Sequence, residues 1–229
     1  MRAYVEKIEG KNVMLKMENG SRIKIRNNSY QLGEELPVEE SSSGVFSFAA
    51  ATAVAAVFLV GLFLAAYLTP YYYISIDTNP SLMVHANIFE RVVGIEPMNE
   101  EAEELFGGRS YNNMKVEDAV VDALSTIGAA GYFEGMSADV FLAPATRNEA
   151  KSKLLAAKLK ETVELQIRRH GIDASIEADS VSYYLFKDAE RLGVSPGKLH
   201  IIQNLLGLDI AGNIELTVKQ LLEKLDLQK

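Results

Sequence analysis

The residues best suited to chemistry in this 229-residue chain are an asparagine and the proline after it, in the run Asp77-Thr78-Asn79-Pro80-Ser81. An asparagine ordinarily deamidates when the next backbone nitrogen attacks its side chain. Pro80 carries no N–H, so that route is closed. The intramolecular route that remains is attack by the Asn79 side-chain nitrogen on its own main-chain carbonyl. That attack expels the Pro80 nitrogen, cuts the chain and leaves a succinimide on the upstream piece. A fold that holds the amide in near-attack geometry accelerates such a step. Asp77, two residues upstream, is close enough to orient or polarise the amide. Taken alone, these residues fit an ordinary asparagine–proline turn better than a cleavage site.

Other chemistry is sparse. His85, His170 and His200 are scattered without metal-ligand spacing and read as surface or packed histidines. There are no cysteines, which excludes disulfides, thiol catalysis and thiolate metal sites. No phosphate loop, dinucleotide fingerprint or zinc-protease helix is present, so neither a cofactor nor a metal is expected. Ser195-Pro196-Gly197-Lys198 matches the S-x-x-K pattern of penicillin-interacting serine enzymes but lacks that group's accompanying elements. Ser195 as a helix N-cap with Pro196 at the first helical position explains it better. The net charge of −8, with no basic stripe to offset it, argues against direct nucleic-acid binding. A conventional turnover enzyme is not expected.

The elements that must position Asn79 fall into three regions. Ser41 to Ile76 contains no charged residue, and 45–68 reads as an uncharged helix long enough to span a membrane. Tyr67, Tyr71, Tyr72 and Tyr73 suit an interface, and Pro70 stops the helix. A cleaved leader is disfavoured because 44 residues precede the run. Residues 1–44 carry seven Lys/Arg and residues 69–90 none, which places the amino end in the cytoplasm. Glu34, Glu35, Glu39 and Glu40 dilute that asymmetry.

Residues 3–26 alternate in the β manner, with Asn19-Gly20 as the hairpin signal and Gly10-Lys11 as a second turn. Leu32, Leu36 and Val38 close this small head, residues 1–40, into a miniature barrel. It serves either as a plain tail or as a docking module. After the span, 72–77, 81–88 and 91–95 form an antiparallel meander interrupted by Thr78-Asn79-Pro80, with Leu82, Val84, Ala86 and Ile88 on one face. Asn99 caps a short helix, and Val116 to Ile127 keep helical spacing. Ala138 to Leu142 reads as a strand, and Thr146-Arg147-Asn148-Glu149 as a capping box opening a helix to about His170. Ala174 to Ala178 reads as a last strand, and Val218 to Leu225 as a final helix. The expected fold is that of a multidomain membrane protein. It has a small all-β, barrel-like domain (1–40), one transmembrane helix (45–68) and an extracytoplasmic α+β domain (71–229). In the last, an antiparallel sheet is packed by helices.

Several segments resemble the membrane-anchored anti-sigma factors of the RsgI family of Gram-positive bacteria. They are Met1 to Val5, Met17-Glu18-Asn19-Gly20 and Gln31 to Leu36 in the head, then Ile74 to Ser81, Asn87 to Val93, Glu96 to Glu101 and Leu192 to Leu199. The resemblance implies that residues 1–40 bind an alternative, sigma-I type sigma factor and keep it from RNA polymerase. It implies self-cleavage at Asn79-Pro80, with Asp77 as a possible assisting group and the pieces held together by strand pairing. It further implies an intramembrane site-2 protease that cuts the span, an unknown extracellular signal or sensor partner, and an amino end in the cytoplasm. Family members often continue into a long carboxy-terminal module. The sequence stops at Lys229, so sensing is expected to act on the α+β domain or through a partner. Two other readings stay open: a single-pass structural or cell-wall-binding protein with a cytoplasmic anchor, and a tethered hydrolase using Ser195 and Lys198.

Overall fold

A computed structural model describes residues 2–38, 43–133, 138–172 and 174–227, with side chains in the first helix from residue 53 onward. The chain divides into two compact units, Met1–Val60 and Gly61–Lys229.

In the first unit, β1 (Arg2–Glu9), β2 (Asn12–Met17), β3 (Arg22–Arg26) and β4 (Glu35–Pro37) form an antiparallel sheet in the order β3-β2-β1-β4. Gly20 takes a positive φ of 83° in the predicted hairpin turn, a conformation that asks little of a residue without Cβ. Alternation sends Ala3, Val5, Val13, Leu15 and Met17 into a small core, which Ile23, Ile25, Leu36 and Val38 flank. β3 and β4 lie at opposite ends of the strand order, so the described sheet is open where a barrel was expected. Four short strands are too few to curl to closure.

The helix α1 (Ser43–Leu68) forms over the predicted apolar run. Among the described residues, however, no helix is long and apolar enough to cross a membrane. This corrects the expected transmembrane helix at 45–68 and the expected single-pass membrane localisation, with its cytoplasmic and extracytoplasmic sides. Residues 39–42, including Glu39 and Glu40, and the side chains of 43–52 lie outside the described residues.

The second unit is built on a six-stranded sheet, β10-β8-β5-β6-β7, with β9 also paired to β8. Its strands are β5 (Tyr72–Asp77), β6 (Leu82–Ala86), β7 (Val92–Pro97), β8 (Ala138–Thr146), β9 (Ala174–Ala178) and β10 (Val181–Ser182). The β5-β6-β7 meander is antiparallel as expected, and β8 joins β5 antiparallel. β9 and β10 instead run parallel to β8, so the sheet is mixed, not antiparallel. The reason lies in the connection: β8 returns to β9 through the long helix α4 (Glu149–Arg169), a crossover that delivers a parallel strand. The whole is a two-sheet α+β arrangement.

Two apolar layers cover the faces of this sheet. Tyr72, Ile74 and Ile76 of β5 pack with α3 (Val116–Ala129) and α4, whose predicted apolar rows are buried there. On the opposite face Met83, Phe141 and Ala143 pack under α5 (Tyr183–Leu192), α6 (Pro196–His200), a π-helical turn (Ile201–Leu205) and α7 (Val218–Asp226). The period-two alternation of β5 therefore turns Ser75 and Asp77 toward α6. Two local expectations fail. Thr146 is held in strand pairing with Ser182, so Asn148 caps α4, accepting from the Lys151 N–H at 3.2 Å. β6 ends at Ala86, after which Asn87 is buried and Ile88 exposed, because the Asn87 side chain binds the chain around it. It donates to the Tyr67 carbonyl at 2.7 Å and accepts from the Phe89 and Arg91 N–H groups.

Candidate functional site

Asp77 is the centre of a buried polar cluster. Its side chain is fully buried at the end of β5. Ser75 Oγ donates to Asp77 Oδ2 at 2.7 Å, and Ser81 Oγ donates to Oδ1 at 3.2 Å. From 122 residues away the Gly197 N–H reaches Ser75 Oγ at 3.2 Å. Burial pushes the Asp77 carboxyl up from the ordinary aspartate range, opposed by hydrogen bonds from Ser195, Ser75, Ser81 and the Gly197 backbone. Every one of these partners is neutral.

Why α6 approaches so closely is written in one residue. A Cβ placed on Gly197 would lie 1.8 Å from Asp77 Oδ2 and 3.1 Å from the Ala143 Cβ. Only glycine lets the first turn of α6 rest against the carboxylate. Pro196 supplies a preset φ at the first helical position. Ser195 accepts from the Lys198 N–H at 3.3 Å as N-cap, as the sequence predicts. With its hydroxyl committed to the cap and to Asp77, and the residue buried, Ser195 is poorly placed to be a nucleophile.

Asn79 lies just beyond this cluster. It is exposed, Pro80 is buried, and the bond between them is cis. Asn79 Oδ1 accepts from Asn99 Nδ2 at 3.2 Å. Asn99 Oδ1 in turn accepts from the Ser81 N–H at 3.2 Å and from the Ala102 N–H at 3.1 Å, capping α2 (Glu100–Phe106). One asparagine thus caps a helix and clasps both flanks of the Asn79-Pro80 bond. Asp77 touches Ser75 and Ser81, not the Asn79 amide, so its contacts position the segment.

A cleft of about 240 Å³ opens over this segment. Thr78, Asn79, Ser81 and Asn99 line it together with Ser195, Lys198, Glu215 and Thr217. Burial lowers the Lys198 ammonium from its ordinary range, while Glu215 and Asp77 pull the other way. Sequence reasoning singled out Asn79, Pro80 and Asp77, and missed Ser75, Ser81, Asn99 and Gly197. From the sequence Asn99 reads only as a helix cap.

The histidines lie elsewhere. His85 pairs with Glu96 at 3.3 Å, His200 with Asp179 at 2.9 Å, and His170 closes α4. Among the described residues no group of three or more metal-ligating side chains gathers.

Comparison with known proteins bears on the same segments. The model of the anti-sigma factor RsgI-like central domain matches residues 71–204, which include Asp77, Asn79 and the Ser195-to-Lys198 run. The anti-sigma-I factor RsgI7 of Acetivibrio thermocellus is 25% identical over 219 residues, covering 91% of this chain and 40% of that protein. The anti-sigma-I factor RsgI3 of the same organism is 26% identical over 228 residues, covering 91% of this chain and 34% of that protein. The chain therefore spans well under half the length of either relative.

Proposed function

The chain belongs to the RsgI-like anti-sigma factors, and from that membership we propose that it holds a sigma-I type sigma factor through residues 1–40 and cuts itself at Asn79-Pro80. The observation that carries this reading is the meeting of two segments far apart in sequence, 75–81 and 195–198, in one buried cluster beside the bond to be cut.

Self-cleavage asks for little chemistry and much positioning. Asn99 holds the Oδ1 end of the Asn79 amide, and the step proposed is attack by Nδ2 on the adjacent carbonyl. Asp77 is a positioning residue. By binding Ser75 upstream and Ser81 downstream it ties down both sides of the bond. The pieces would remain associated after the cut. β5 stays with the upstream piece, yet it is paired to β6 on one side and β8 on the other. Separation of the pieces would strip a central strand of both neighbours, and that separation is the event that gives up the sigma factor. The reaction is a single intramolecular turnover.

Two measurements test this reading. The full chain, immobilised, should retain a sigma-I type factor, and Leu15→Asp, which places a charge in the head's core, should release it. A sigma factor that flows past the wild-type chain would sink the first half. Amino-terminal sequencing of purified protein should find a chain beginning at Pro80, absent in Asn79→Ala.

A further inference from the structure

Succinimide formation at Asn79 must move a proton. The Asn79 Nδ2 loses one as it bonds to its own carbonyl carbon. The Pro80 nitrogen must gain one as the carbonyl–nitrogen bond breaks, because an amide nitrogen leaves badly without it. Asp77 accepts from Ser75 and Ser81 and makes no hydrogen bond to the Asn79 amide. Among the described lining residues of the cleft over Asn79, Lys198 and Glu215 are the ones that ionise.

We propose that Lys198 is the proton carrier for the Asn79-Pro80 cut. The inference rests on the self-cleavage reading and names the group that serves it. Three observations support it. Lys198 and Asn79 line the same cleft. The α6 backbone that carries Lys198 is fixed against β5 by the Gly197 N–H bond to Ser75, and Ser195 Oγ caps the turn. Lys198 is also half-buried, and its burial favours the neutral amine that a proton acceptor needs. The charged groups acting on it are Glu215, from the segment before α7, and Asp77, from β5. In the balanced step, neutral Lys198 takes one proton from Nδ2 as the ring closes and hands a proton to the Pro80 nitrogen as that bond breaks. Lysine ends as it began, and no co-reactant is consumed.

The test follows the first-order loss of the intact full chain by mass. Lys198→Met should slow the cut by about 100-fold or more, the range over which a positioned acid–base group acts. Lys198→Arg should be nearly as slow, because guanidinium keeps its proton. In Lys198→Ala, added methylamine should restore the rate in proportion to its free-base concentration, which separates a missing amine from a misfolded protein. The wild-type rate should rise with pH and level off below the ordinary lysine range. A Lys198→Met rate within threefold of wild type overturns the proposal. So does Lys198→Arg at wild-type speed, or a folded Lys198→Ala, judged by its circular dichroism, that methylamine leaves unchanged. A wild-type chain that never cuts overturns the self-cleavage reading, and this one with it.

Discussion

Among the described residues of the second unit two carboxylates are buried, and they are buried in opposite ways. Asp77 sits among hydroxyls and one backbone N–H, and burial raises it. Glu117, on α3, is also desolvated, but hydrogen bonding and attraction from Lys158 hold it below its ordinary range. Lys158 of α4 reaches both Glu117 and Glu90, the latter at 2.5 Å, and is itself raised by them. The Glu117 cluster is a brace that joins α3 and α4 to the turn after β6. Among the described residues no cation is hydrogen-bonded to the Asp77 cluster, and it lies beside Asn79. The difference teaches that a buried acid with a full counter-ion reads as architecture. One held only by neutral donors is costly to keep, and its place next to a reactive bond gives that cost a use.

The largest effect should come from closing the space beside Asp77. Gly197→Ala drives a methyl group into the carboxylate and should cost about 3 kcal/mol of unfolding free energy in urea. In the background of Asp77→Ala the same change should cost far less, and the coupling in that double-mutant cycle measures the contact. Additive losses would mean that α6 does not rest on Asp77.

Breaking the brace should cost somewhat less. Lys158→Met strands Glu117, and the loss should be about 2 kcal/mol, reduced because the lysine side chain is 44% exposed and water can partly replace it. This variant should leave the cut at Asn79 unaffected, whereas Gly197→Ala should abolish it. The two sites then separate cleanly into brace and reaction centre.

A smaller effect sharpens the comparison through pH. Asp77, raised when folded, contributes stability that is full in acid and is lost as pH rises through its elevated value. Glu117, depressed when folded, contributes stability present above its ordinary value of 4.5 and lost as pH falls through the depressed one. The penalty of Glu117→Gln should therefore fade on acidification from neutrality. The penalty of Asp77→Asn should grow over the same titration. The smallest expected effect is that of Ser81→Ala, about 1 kcal/mol for one hydroxyl bond to Asp77, read as a shift in the urea midpoint.

Much of the positioning was legible before any coordinates. Alternation along β5 already puts Ser75 and Asp77 on one face and Ile74 and Ile76 on the other, and Ser195-Pro196 already reads as a helix start. What could not be read was the pairing of those two segments, since no local pattern announces contact between Ser75 and Gly197. The glycine itself gave no turn signal. Its role is an absent side chain, visible only when its neighbour is known. Thr146 misled because its residue type suits a cap while strand pairing claims its backbone. The parallel β9 and β10 were hidden because direction depends on the crossover, not on the strand's own residues. The apolar run at 45–68 forms a helix as its composition demands, but the membrane role inferred from it does not stand.

The most direct test is the intact mass of the purified full chain, followed over time. Self-cleavage by cyclisation predicts two species ending at Asn79 and beginning at Pro80. The upstream one should first appear one water lighter than its hydrolysed form, and Asn79→Ala should show neither. A wild-type chain that stays whole, or a cut at Asn79-Pro80 that persists in Asn79→Ala, would contradict it.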